Sequence, residues 1–187
     1  MLRWMRGDTE RWNDRYLGKM TGEPEMPKGL GGVELDRSGL CLDVACGMGA
    51  QSIWAAQQGY EVVAIDASDV GITALNTAAI HHGVRDRIET RVVDLDHGLP
   101  IDVATRCSLV ICQRFRDPQL YEQFELMLKP GGVVVVTVLS QVGLAGTPGE
   151  FHAPPGELVD AFRMLEDLTI ERHVELDGEA TIVARRT

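Results

Sequence analysis

The chain has 187 residues, 44% of them hydrophobic and 25% charged, which suits one globular domain with a full core. Its formal net charge of −10 argues against a nucleic-acid partner, where a basic footprint is expected, and against adhesion to anionic membranes. No run is long and apolar enough to span a bilayer, and no apolar stretch follows the basic N-terminal residues as a signal peptide requires, so a cytoplasmic location is expected.

Residues 8–20 read as a helix with Trp12 and Tyr16 one turn apart on one face. Residues 21–39 are rich in glycine and lack periodicity, so they read as a connecting loop. A short apolar strand follows at 40–45, with Asp43 among its apolar residues. Small residues Ala45, Cys46, Gly47 and Gly49 then turn the chain into a helix over 49–58, which Gly59 stops. Residues 61–65 make a second buried strand ending in Asp66. Ser68 caps a helix reaching about His82, with Ile72, Leu75 and Ala79 inward.

A third strand is expected at 87–93, followed by Asp94, Leu95 and Asp96, and then by a loop or weak helix over 97–106. Residues 107–112 make the fourth strand. Asp117-Pro118 opens a helix that should run to Leu128 and end at Pro130-Gly131-Gly132. The run 133–138 is apolar without alternation, so both of its faces should be buried. A long loop with glycine and proline covers 140–156, a helix covers 156–165, and Asp177-Gly178 joins two alternating strands, 168–176 and 179–186, into a hairpin.

Strands alternating with helices, then a terminal hairpin, predict a single α/β domain. The expected architecture is a three-layer Rossmann-like sandwich, with a mostly parallel seven-stranded sheet and a C-terminal antiparallel hairpin. Cys41, Cys46, Cys107 and Cys112 form two C-x4-C pairs, which is not a zinc spacing, and they read as buried free thiols with no metal. If their strands are parallel neighbours, Cys46 and Cys112 meet at the carboxyl ends, where a redox or metal role is the alternative.

Ligands of open α/β sheets bind beyond the carboxyl ends of the strands, where strand order reverses. The polar residues expected there are Asp43, Asp66, Asp94 and Gln113-Arg114. The dinucleotide fingerprint needs a third glycine where Ser52 stands, and the Walker lysine motif is absent. Asp43 can hold the loop amides or, through water, a ligand's ammonium group. Asp66 is placed for two ribose hydroxyls. Asp94, rather than Asp96, is placed for an adenine edge, as the first acid after its strand. The ligand implied is a nucleoside with a cationic tail and no required phosphates.

The segments LDVACGMG, IDAS, VVDLDHGLP and LKPGG, in this order, resemble the class I S-adenosylmethionine-dependent methyltransferases over residues 40–186. The family usually has glycine where Ala45 stands. The resemblance implies S-adenosyl-L-methionine as cofactor, held by Asp43, Ala45, Cys46, Gly47, Gly49, Asp66, Ala67, Asp94, Leu95 and Gln113. Trp12-Asn13-Asp14-Arg15-Tyr16 is similar to a segment of the tellurite-resistance and thiopurine methyltransferase group. Residues 113–118 and 151–158 sit where that group has its substrate-side loops. By this likeness Trp12, Arg15 and Tyr16 close over the cofactor, while Arg114 and His152 face a small-molecule acceptor as catalytic residues.

No strong general base is evident, which favours a thiol or chalcogen acceptor over oxygen or nitrogen. Two other readings compete: an NAD-dependent oxidoreductase, and a non-catalytic protein that binds S-adenosylmethionine.

Overall fold

The computed structural model describes residues 3–187, with side chains from Thr9 onward. The expectation about a leader peptide falls on the first eight residues, whose side chains lie outside that set. Helix α1 (Arg3–Tyr16) comes first. The core alternates strand and helix: β1 (Leu40–Val44), α2 (Ala50–Gln57), β2 (Glu61–Asp66), α3 (Asp69–His81), β3 (Ile88–Val92), β4 (Cys107–Gln113), α4 (Tyr121–Met127), β5 (Leu128–Leu139) and α5 (Glu157–Arg163). Strands β6 (Leu168–Leu176) and β7 (Glu179–Arg186) close the chain as an antiparallel hairpin.

The seven strands form one sheet in the order β3-β2-β1-β4-β5-β7-β6. The first five strands run parallel, and β7 inserts antiparallel beside β5. The order reverses between β1 and β4, so a crevice opens there at the carboxyl ends. Helices α2 and α3 pack on one face, around Ile53, Ile72 and Leu75, and α4 and α5 on the other, around Phe124, Leu158 and Phe162. Val133 to Val136 and Val138 in β5 are all buried, because the strand is covered on both faces. Each such valine contributes about 1.5–3 kcal/mol of burial free energy.

Three boundaries differ from the sequence reading. Helix α1 stops at Tyr16 rather than continuing to residue 20, since Gly18 takes a left-handed backbone (φ 73°) and Lys19 N–H turns back to the Tyr16 carbonyl. Helix α4 ends at Met127, and Leu128 already pairs with Cys107 in the sheet, while the next ladder pair joins Leu109 to Val133. Lys129-Pro130-Gly131-Gly132 is therefore a bulge carried within a strand, not a helix stop before one. Residues 97–106 hold parts of two short 3-10 turns, Leu95–His97 and Ile101–Val103.

Candidate active site at the carboxyl ends of the strands

The turn after β1 is strained and tightly bonded. Ala45, Gly47 and Gly49 all have positive φ, 53°, 54° and 85°. For Gly49 the reason is doubled: a Cβ there would lie 2.2 Å from Leu75 Cδ1. Cys46 N–H donates to the Ile65 carbonyl at 3.0 Å, and Gly49 N–H to the Cys46 carbonyl at 2.9 Å, so the turn is stitched to β2. Ala45 occupies a left-handed backbone that costs an L-residue roughly 1–2 kcal/mol, which gives a physical reason for glycine there in related chains.

Two buried carboxylates flank the turn. Asp43 is 2% exposed and accepts a 2.5 Å hydrogen bond from Ser52 Oγ at the start of α2. Burial pushes its pKa up to about 7, and the neighbouring Asp66 charge adds to the rise, against the hydrogen bonding from Ser52. Asp66, at the end of β2, accepts from Gly47 N–H at 2.7 Å on one oxygen and from Ser68 N–H at 2.8 Å on the other. Burial raises its pKa, against the pull of those amides. Ser68 caps α3 as expected, accepting from Gly71 N–H at 3.0 Å.

Helix α1 lies against this turn. The Tyr16 hydroxyl sits where a Gly47 Cβ would be 2.9 Å away. Its phenol is pushed to about 12, chiefly by burial and then by the charge of Asp66. Trp12 stacks on Tyr16 with ring centroids 5.7 Å apart, and the Arg15 guanidinium lies 5.1 Å from the Trp12 ring. Asn13, not among the predicted site residues, makes the link to the core. Its amide donates to Asp69 Oδ1 at 2.6 Å, and its carbonyl accepts from Ser68 Oγ at 2.6 Å. Thr21 Oγ1 then donates to the Met48 carbonyl at 2.8 Å. On its other side Arg11 reaches the 140–156 loop, 3.5 Å from Glu150 and 4.8 Å from the Phe151 ring centre.

Tyr16, Cys46, Gly47 and Asp66 thus come together, with Asp43 beneath. Asp94 sits beyond the end of β3, where Val93 N–H donates to the Asp66 carbonyl. Its own carboxylate accepts from Asp96 N–H at 3.0 Å, closing a short turn that buries Leu95. Ala67 follows Asp66, and its amide helps to lower the pKa of that carboxylate against burial. All four cysteines are buried and free. Burial raises the Cys46 and Cys112 thiols, which keeps them protonated and unreactive. Strands β1 and β4 are indeed parallel neighbours, with Val44 beside Cys112. Among the described residues, no three His, Cys, Asp or Glu side chains cluster as a metal site would need.

The rim beyond β4 is assembled from more distant parts. Gln113 Oε1 accepts from Lys28 N–H at 3.2 Å. Arg114 takes a left-handed backbone (φ 58°) and donates to Glu179. Arg116 grips Glu157 with two hydrogen bonds of 2.7 and 2.5 Å, tying the end of β4 to the first turn of α5. His152 is bonded within its own loop, where Gly149 N–H donates to Nδ1 at 3.0 Å. The structure does not join His152 to Arg114. Lys28 and Glu179 were missed by sequence reasoning, and Glu157 was named only as part of the 151–158 segment; the one local signal is that Glu179 directly follows the Asp177-Gly178 turn.

Residues 41–132 match a family model described as a methyltransferase domain. A ribosomal RNA small subunit methyltransferase C from Alcanivorax borkumensis is 27% identical over 60% of this chain and 36% of its own length. The chain thus spans about a third of that curated relative. Among solved structures, geranyl diphosphate C-methyltransferase from Streptomyces coelicolor superposes with a TM-score of 0.73 at 15% identity, covering 100% of both chains. TehB from Haemophilus influenzae gives 0.65 at 18% identity, over 80% of this chain and 58% of its own. These likenesses in structure speak to fold, and the family match and the motif order agree with them. Residues 41–132 are similar to the methyltransferase-domain family, and the chain resembles TehB in architecture.

Proposed function

We propose that this chain transfers the methyl group of S-adenosylmethionine to a small-molecule acceptor, a thiol or chalcogen species in the first instance. The observation that carries the reading is the pair of buried carboxylates around the left-handed turn. Asp66 is held by Gly47 and Ser68 amides at a strand end, and Asp43 lies beneath the same turn. The donor set fits such a cofactor. A carboxylate with both oxygens oriented by amides can still accept from two ribose hydroxyls, a buried acid can balance an ammonium group, and Gly47 and Gly49 let a ligand approach the main chain of the turn.

When bound, the cofactor supplies an already activated methyl on sulfur. The chain's own contribution is then alignment and exclusion of water. In this reading Asp66 and Asp94 orient the nucleoside, with Ala67 and Leu95 beside them. Ala45, Cys46, Gly47 and Gly49 cradle the methionine part, and Gln113 borders it. Trp12, Arg15 and Tyr16 cover it from α1. Arg114 and His152 face the acceptor.

The hydrogen bonding of His152 bears on the acceptor atom. Its Nδ1 lies 3.0 Å from the Gly149 amide nitrogen and 3.3 Å from the Gly149 carbonyl, so this nitrogen is engaged within its own loop. A nucleophile that ionises by itself suits such a site.

The test is methyl transfer from labelled cofactor to a panel of thiols, phenols, chalcogen oxyanions and a short ribosomal RNA fragment. Turnover of thiols or chalcogen species above phenols is the expected result. Transfer to the RNA alone would overturn the small-molecule reading. Cofactor binding without any turnover would favour a non-catalytic binding protein.

A further inference from the structure

Beyond the carboxyl end of β4, on the opposite side of the switch point from Asp66, three charged side chains converge. Arg114 Nε and Nη2 donate to Glu179 Oε1 at 3.0 and 2.8 Å, and Lys28 Nζ donates to the other oxygen, Oε2. The Lys28 backbone is fixed in turn by Gln113. The Glu179 side chain is 13% exposed, whereas those of Lys28 and Arg114 are 61% and 73% exposed. The carboxylate is therefore a floor, and the two cations rise from it toward solvent.

Two features set this cluster apart from an ordinary surface ion pair. The first is charge. Desolvation alone would raise the pKa of Glu179, but hydrogen bonds from Lys28 and Arg114 outweigh it and lower the value. The carboxylate stays ionised, and two cations on one anion leave a surplus positive charge in a chain of net charge −10. Arg114 spends Nε and Nη2 on Glu179 and leaves Nη1 for a ligand, and Lys28 spends one of its three ammonium protons.

The second feature is strain. Arg114 sits at φ 58°, held by a 2.7 Å hydrogen bond from its amide to the Thr137 carbonyl. A left-handed arginine is strained, while an exposed ion pair contributes little to stability. Pairing with Glu179 does not offset the strain, so stability is a poor account of this geometry. Strain of this kind gathers where a side chain must be aimed. The neighbouring Arg116 is bidentate with Glu157 and mutually neutralised, so it does not compete for the role.

We propose that Lys28 and Arg114 form an anion subsite of the acceptor pocket, taking a small acceptor that carries a carboxylate or phosphate group besides its nucleophilic atom. Glu179 preorganises the two cations. This rests on the methyl-transfer reading above, and the test separates the two.

The full chain, with and without S-adenosylhomocysteine, is titrated with inorganic phosphate, benzoate and the neutral match benzamide, while amide NMR shifts of Lys28, Gln113 and Arg114 are followed. Benzoate or phosphate should move these amides and benzamide should not; whichever anion binds more tightly identifies the group. Lys28→Met and Arg114→Gln should each weaken the anion roughly tenfold, while the affinity for S-adenosylhomocysteine holds. Glu179→Gln should tighten it, an opposite sign that mere misfolding would not produce. In turnover, 2-mercaptobenzoate should have a lower KM than thiophenol. Equal shifts from benzoate and benzamide, or none from either anion, overturn the subsite. Anion binding at these amides in a chain that fails to bind S-adenosylhomocysteine overturns the methyltransferase reading and leaves the subsite standing.

Discussion

Asp66 and Glu179 are both carboxylates at strand ends on the same rim of the sheet, yet they are held by opposite means. Asp66 is anchored by backbone amides only 2 and 19 residues away, one of them in the turn that it helps to shape. Glu179 is anchored by side chains 151 and 65 residues away. The first arrangement is a property of one βαβ unit. The second exists only once β7 has inserted beside β5 and residues 27–31 have crossed the end of β4. The Asp66 side of the rim is therefore local chemistry on a fixed scaffold, and the Glu179 side is a product of the whole fold.

That contrast can be broken first at Gly49. An alanine there meets both a φ of 85° and a Cβ placed 2.2 Å from Leu75, so Gly49→Ala should destabilise the chain by roughly 3–5 kcal/mol. Thermal unfolding reads this directly, and an unchanged Tm would show that the turn and α3 can part cheaply.

The next largest effect concerns Asp43. Its folded pKa of about 7 lies above the usual carboxylate value of 3.8, so the folded state binds the extra proton between them. Stability should fall as pH rises through that window, by up to about 4 kcal/mol, and level off above it. Urea unfolding at pH 5 and pH 8 should show about 3 kcal/mol of this fall in the native chain and a much flatter dependence in Asp43→Asn. Parallel slopes would mean that Asp43 is ionised throughout.

Asp66→Ala should weaken cofactor binding by more than roughly tenfold, since it removes charge-assisted hydrogen bonds worth about 1.5–3 kcal/mol. The same substitution should leave anion binding at Lys28 and Arg114 in place, which sharpens the division between the two halves. At the small end, Ala45→Gly should relieve the left-handed alanine and be neutral to stabilising by about 1 kcal/mol, once the extra freedom of glycine in the unfolded chain is set against it. A clear loss of stability would show that the Ala45 methyl packs usefully against the core.

The same division explains what could be read from the sequence. The Leu40 to Gly49 stretch, the Ser68 cap, the buried valines of β5 and the Asp177-Gly178 hairpin are each encoded within a few residues, and all four formed as expected. The bulge at Lys129-Pro130-Gly131-Gly132 was misread because a proline with two glycines ends helices as readily as it loops out of a strand. Only the pairing of Leu128 with Cys107 decides between them. Lys28 lay in a loop without periodicity, and Glu179 was one acid among many. Nothing near either residue signals the other. Asn13 was visible as part of a segment, but its bonds to Ser68 and Asp69 depend on how α1 docks on α3.

The central claim is that the turn after β1, with Asp43 and Asp66, holds S-adenosylmethionine. Calorimetric titration of the full chain with that cofactor, and in parallel with NAD, tests it most directly. One site that takes S-adenosylmethionine and ignores NAD is the predicted result. Tight binding of NAD with no heat from S-adenosylmethionine would contradict it.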